Sequence, residues 1–338
     1  MRGTGVARDP IDAARAVRAR TVALALALVA CTAWLPAARA AECIAPANPG
    51  GGADFTCREV GRIMHELGVV DAPIRTVHLP GEGGGRAFAA VAGERSGDED
   101  LIVAASNATA TRLAQGAYGG LAVDDVRFLG AIGADPGVIA VPADSPYRTL
   151  ADLLEAVAAD PASVAFAGGS PPGGFDHLKV LMLLERAGLA GAREVRYTGT
   201  GGDADAILRA VGGDADAVTG DVSGIVRALE AGEVRALATL TDERLGGAFA
   251  DVPTAREQGH DAVAANWRGL YVPKDIPEAA YRRWSDGLAR VAGSDAWAET
   301  AEEVGLVPFT LVGDDFQAWV TDVVEQIAVL SRDMGVVR

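Results

Sequence analysis

The chain has 338 residues, more than one ordinary domain and about the length of two. It is 49% hydrophobic and 22% charged, which describes a folded globular protein and excludes a disordered or fibrous one. The formal charge is −16, and residues 1–40 hold six Arg against two Asp, so the rest carries about −20. A surface that acidic argues against nucleic acid and anionic membrane as partners, and aromatics at 5% leave few platforms for stacked bases.

The chain opens on a targeting segment, residues 1–40, that takes no part in the fold. Arg15, Arg18 and Arg20 form a basic region, and Thr21 to Leu35 is an apolar run too short to span a bilayer comfortably. Ala38-Arg39-Ala40 offers a small-x-small cleavage pattern ahead of Ala41. Leu28-Val29-Ala30-Cys31 is a rival, a lipobox that would leave Cys31 as a lipidated terminus. The first reading leaves a soluble exported body, the second an anchored one. No later segment is apolar for long enough to cross a membrane, so the body is expected to be extracytoplasmic. Cleavage at Ala40 leaves two cysteines, Cys43 and Cys57, expected to pair in an oxidising compartment around a loop of about fifteen residues; the alternative is two separate buried thiols. No metal site is expected there, since His65 alone adds too few ligands.

Beyond this point short apolar runs alternate with helical stripes. Strands are expected at 74–79, 100–105, 137–142, 163–167, 194–197, 215–219, 234–240 and 268–272. Leu150, Leu153, Leu154 and Val157 keep helical spacing behind a Thr149 cap, and Ala204, Ile207, Leu208 and Val211 do the same up to Gly212-Gly213. Val222, Ile225, Val226 and Leu229 follow, and a last helix runs from about Asp314 to Arg332. The expected class is α/β with parallel or mixed sheets. Two extended pieces ending in proline, Ile139–Pro142 and Leu270–Pro273, can serve as crossings between two halves. The expected division is residues 41–142 plus 266–338 as one discontinuous lobe and 143–265 as a second, inserted one.

Two glycine-rich turns precede helices: Pro46-Ala47-Asn48-Pro49-Gly50-Gly51-Gly52-Ala53-Asp54 and Gly168-Gly169-Ser170-Pro171-Pro172-Gly173-Gly174-Phe175-Asp176-His177. Each sets bare N–H groups before a helix start, which favours an anion and lets it approach the backbone closely. Ordinary βα turns are also glycine-rich, and that reading stays open. Gly81-Glu82-Gly83-Gly84-Gly85-Arg86 lacks the last glycine of a dinucleotide fingerprint, and no P-loop occurs, so no cofactor is expected. Ser170 misses a nucleophile elbow because Pro172 stands where glycine is needed. His65, His78, His177 and His260 form no metal or catalytic pair. His177 is read as structural, and Glu299, Glu302 and Glu303 as a solvated helix face.

The order of several motifs is similar to that of the substrate-binding proteins of tripartite tricarboxylate transporters, the Bug family. Pro46 to Asp54 resembles its P-x-x-P-G-G-x-x-D opening, and Gly168-Gly169-Ser170 to His177 its second loop. Val195 to Gly199, Ala231 to Ala238, Asp251 to Gly259, and Trp267 with Gly269 resemble later motifs in the same order, over roughly residues 43–310. The resemblance implies a type II periplasmic-binding fold: two α/β lobes, two crossing strands and a cleft. It implies a small carboxylate ligand, large and small membrane subunits as partners, and no enzymatic activity. Carried over by position, Pro49, Gly50, Gly51 and Asp54 come from the first turn, Ser106, Asn107 and Ala108 from a second, and Gly169, Ser170 and Gly174 from the other lobe. Asp221 would accept a ligand amine or hydroxyl near the hinge. Two departures stand out. Pro171-Pro172 stiffens the second loop, and Asp176 adds negative charge that disfavours a tricarboxylate. A sensing role feeding a signalling partner is one alternative, a hydrolase or lyase on an α/β scaffold another.

Overall fold

The computed structural model describes residues 40–189, 191, 194–333, 335 and 336. The expected cleavage segment before Ala40, with Cys31, lies outside the described residues. In chain order the elements are β1 Glu42–Ala45, α1 Gly52–Glu66, β2 Arg75–His78, α2 Gly85–Ala92, β3 Leu101–Ser106, α3 Asn107–Ala114, β4 Val126–Pro142 and α4 Leu150–Ala159. Then come β5 Ala165–Gly168, α5 Phe175–Arg186, β6 Arg196–Gly199, α6 Asp203–Val211, β7 Ala217–Asp221, α7 Val222–Glu230, β8 Val234–Leu240 and β9 Ala265–Pro273. The chain ends in α8 Glu278–Ala292, α9 Asp295–Glu303, β10 Leu311–Val312 and α10 Asp314–Asp333.

The strands run β2-β1-β3-β9-β4-β7-β5-β6 across one mixed sheet. Its two ends are parallel sets, β2-β1-β3 and β7-β5-β6, built by βα units, since parallel neighbours need a crossover between them. Antiparallel β9 and β4 join them. The first part of β4, Val126 to Pro136, pairs with β9, and its last part, Gly137 to Pro142, pairs with β7 and β8. Leu270 to Pro273 pairs within the first set and not at the handover, which falls near Asp135 and Asn266.

The strand expected at 137–142 is therefore the last third of a 17-residue strand. Glycines at 130, 133 and 137 hid the rest, and tertiary packing explains them. A Cβ on Gly269 would sit 2.3 Å from the Gly130 carbonyl oxygen, and one on Gly137 2.8 Å from that of Ala264. Close strand approach selects glycine at these points. β1 and the two-residue β10 had no signal strong enough to be expected.

The described cysteines do pair: Cys43 on β1 and Cys57 on α1 form a disulfide with Cα atoms 5.5 Å apart. Both are fully buried in a cluster with Val60, Ile63, Met64, Trp284 and Trp297. The bridge ties the second turn of α1 to β1, and the first glycine turn lies between the two cysteines. A separate cluster of Val138, Ile207, Val218 and Ile225 underlies the second parallel set.

Candidate functional site

Five helices begin where the strands before them end: α1 after β1, α3 after β3, α5 after β5, α6 after β6 and α7 after β7. In an open α/β sheet a ligand binds outside those carboxyl ends. Here the residues just before the five helices, Gly51, Ser106, Gly174, Gly202 and Asp221, all line one cavity of about 210 Å³. Gly51, Gly174 and Gly202 have no side chain to cap the helix they precede, so first-turn N–H groups of α1 and α6 stay available to a ligand, while in α5 Ser170 Oγ takes that of Asp176.

Of the residues singled out from sequence, Gly51, Ser106, Ala108, Gly169, Ser170, Gly174 and Asp221 come together on this lining. Pro49, Gly50, Asp54 and Asn107 are not on it. The Asp54 carboxylate accepts the Gly50 N–H at 3.0 Å, Arg58 Nε at 2.9 Å and bonds His78 Nε2 at 2.7 Å. Burial pushes this carboxyl up, but the bonds from Arg58, Gly50 and His78 outweigh burial and hold it below the usual range. Its physical role is to hold the turn, in which Gly50 takes φ +88°. Asn107 bonds sideways, its N–H to Asn266 Oδ1 at 2.9 Å and its Nδ2 to the Ala265 carbonyl at 2.6 Å, which ties α3 to β9.

Ser170 and Asp176 cap each other across the second loop. The Ser170 N–H donates to Asp176 Oδ2 at 2.9 Å and the Asp176 N–H to Ser170 Oγ at 3.0 Å. His177 Nδ1 accepts the Gly173 N–H at 2.9 Å, and its ring stacks on Tyr197 with centroids 4.4 Å apart. Burial pushes His177 below its usual pKa, consistent with a neutral ring that pins the loop. Asp176 is therefore committed to the loop and to Lys179, 2.9 Å away.

Beneath the lining lies a charge network that no local motif announced. Lys179, fully buried, bonds Asp176, Asp221 and the Gly220 carbonyl. Arg268 bonds Asp135, and Asp221 at 3.1 Å; Asp221 also accepts Asn266 Nδ2 at 2.6 Å. Asp135 takes two further bonds from Ser223. Burial pushes Asp221 up, yet Lys179 and Arg268 outweigh it and hold the carboxyl low. Burial works against Lys179 and Arg268, but their carboxylate neighbours keep both charged. The network joins α5, β7, β4 and β9, so it stiffens the place where the two parallel sets meet.

This arrangement offers an anion backbone dipoles beside charged side chains, and its acids other than Asp203 are tied to cations or loops. The match to known proteins agrees. The family model of the tripartite tricarboxylate transporter family receptor covers residues 121–336. The chain belongs to that family. It is a family of receptors for solutes and not of enzymes. Protein BugT of Bordetella pertussis is 25% identical over 304 residues, 88% of this chain and 90% of that protein. Among solved structures, an adipate-bound protein of Rhodopseudomonas palustris superposes with a TM-score of 0.80 at 20% identity, covering 89% of this chain and 98% of that one. MatC of the same organism, with bound malate, gives 0.75 at 20% identity over 87% and 99%. The fold is thus that of periplasmic binding proteins, the type II architecture expected from the motifs. Among the described residues no helix is long and apolar enough to cross a membrane.

Three lining residues with chemistry were not expected from sequence: Arg112 on α3, Asp203 on α6 and Arg268 on β9. Each is a lone charged residue in an ordinary amphipathic or apolar stretch. The signal that could have found Asp203 is its place directly after Gly201-Gly202 at a helix start.

Proposed function

We propose that this receptor captures a small carboxylate in the cavity ringed by the five helix starts and delivers it to the membrane subunits of a tripartite transporter. The convergence of Gly51, Ser106, Gly174, Gly202 and Asp221 on one cavity carries this reading. Unpaired first-turn N–H groups and positive helix ends stabilise a carboxylate without needing one cation per negative charge. Arg112 and Arg268 add positive charge to the same wall. The adipate and malate held by the two structural neighbours support the ligand class.

In this reading Gly51 and Gly169 offer backbone N–H groups, Ser170 its hydroxyl proton, and Pro49, Gly50 and Asp54 the shape of the turn; the Ala108 and Gly174 N–H groups are held by Ser106 Oγ and the Pro171 carbonyl, so these two residues shape the lining. Asp221, occupied by Lys179, Asn266 and Arg268, sets the floor. The first lobe comprises the β2-β1-β3 set and the second the β7-β5-β6 set, with β4 and β9 as the crossing strands. The hinge lies near Asp135 and Asn266. The ligand closes the lobes only through its greater affinity for the closed form. The receptor acts outside the cytoplasm after removal of its leader.

Native mass spectrometry of the purified protein tests the reading directly. A co-purifying small acid, and calorimetric binding of a dicarboxylate panel, are the expected results. A protein that binds no carboxylate of the panel defeats it.

A further inference from the structure

Charge matching in the cavity is complete except for one group of each sign. Lys179 and Arg268 are shared among Asp135, Asp176 and Asp221. Asp203 forms no ion pair of its own, since Lys179 and Arg268 are taken, and among the described residues no donor reaches its carboxyl. Arg112 remains without a carboxylate; its one side-chain bond is to Gln115 Oε1 at 3.1 Å, and its buried Nε has no acceptor. A second buried donor without an acceptor is Nε of Arg268, a residue only 6% exposed. All three residues line the cavity. Arg112 belongs to the helix after β3 in one parallel set and Asp203 to the helix after β6 in the other, so the unmatched charges come from the two walls.

The Asp203 carboxyl is seated deliberately in steric terms. It lies where three glycines leave room: a Cβ on Gly169 or Gly220 would meet Oδ1 at 3.0 or 2.9 Å, and one on Gly224 would meet Oδ2 at 2.0 Å. Its charged neighbours are Asp176 and Lys179 from α5, Asp221 from β7, Asp135 from β4 and Arg268 from β9. Burial first, then repulsion from Asp221 and Asp176, pushes its pKa well above the usual carboxylate range. Such a group is stabilised by a cation brought to it.

We infer that the ligand is zwitterionic, its carboxylate held by Arg112 with the helix-start N–H groups and its cationic nitrogen by Asp203. This rests on the carboxylate reading and narrows it from any small carboxylate to an amino acid or a similar ammonium-bearing acid. A ligand with three negative charges has too few cations to meet, because two of the three, Lys179 and Arg268, are already shared among three acids.

The test is calorimetry on the purified protein after dialysis free of small molecules, with paired probes: L-aspartate and succinate, L-glutamate and glutarate, L-norvaline and pentanoate, with adipate and citrate beside them. The amino member of at least one pair is expected to bind about tenfold tighter or better than its amine-free counterpart, a charge-assisted contact's worth. D203N brings that ratio close to one, and R112Q weakens both members of the pair. Gly224→Ala, which displaces the Asp203 carboxyl and leaves its charge, narrows the ratio as well; circular dichroism melts confirm that each variant folds. If adipate, citrate or the amine-free acids bind as tightly as every amino acid, or if D203N leaves the ratio unchanged, the zwitterion assignment is overturned and the carboxylate reading stands. If none of the probes binds, the carboxylate reading itself falls.

Discussion

Strand β9 faces two cavities with opposite chemistry. Asn266 and Arg268 line the polar one of about 210 Å³, with the helix starts. Trp267, between them, lines a larger one of about 270 Å³, walled by Leu178, Met182, Phe309, Trp319, Val323 and Leu330. The period of two along a strand is enough to send alternate residues to each side. Size alone favours the apolar cavity; the N–H groups, the unmatched Arg112 and Asp203, and the ends of five parallel strands all favour the other. A binding site is recognised by converging polar groups more than by volume.

The contrast can be broken most forcefully at the polar wall. A Cβ on Gly52 would fall 2.2 Å from Arg268 Nη1, so Gly52→Leu must drive the guanidinium off its seat. Calorimetry should show a loss of about a hundredfold in affinity, roughly 2.7 kcal/mol, with a near-native melt. By contrast Val323→Phe, which fills part of the apolar cavity, should leave affinity within about twofold; a tenfold loss would give that cavity a part in closure.

The disulfide sharpens the comparison on the side of stability. Cys43→Ala with Cys57→Ala should cost about 3 kcal/mol in urea unfolding, since the bridge closes a short loop in the unfolded chain. Affinity should fall with it, because that loop carries the polar cavity's first turn. Asp54→Ala and Gly50→Val attack the turn itself. The first strips the acceptor from the Gly50 N–H, and the second forces a β-branched residue to φ +88°, a strain of about 1–2 kcal/mol. Both should weaken binding; unchanged affinity in both would remove the turn from the site.

The smallest effect is on pH. The folded pKa of Asp203 lies above its unfolded value, so its folded form binds the proton more strongly and wild-type stability falls as pH rises through that folded pKa. D203N has no such loss. Melts of the two proteins should differ little near pH 4 and diverge in favour of D203N toward pH 8, in steps of about a pH unit. Parallel curves would mean that Asp203 is not shifted, and the unmatched-charge comparison would lose its acid half.

Local signals carried the helices well. The stripes at 150–157, 204–211 and 222–229, and the last helix, sit where their apolar spacing placed them, because a helix satisfies its backbone within its own segment. The glycine turns were visible because bare backbone before a helix is a local feature, and the Cys43–Cys57 pair was visible because only two cysteines followed the leader. The long span of β4 was invisible: its glycines read as turns until β9 and β10 came against them. Arg112, Asp203 and Arg268 were invisible for a related reason. Each belongs to a different βα unit or crossing strand, separated by tens of residues, and a lone charge has no meaning until burial leaves it without a partner. Sequence by itself determined which segments become helices and where backbone is left bare. Only the tertiary structure decided which charges are matched, since matching depends on distances between segments that the chain brings together when it folds.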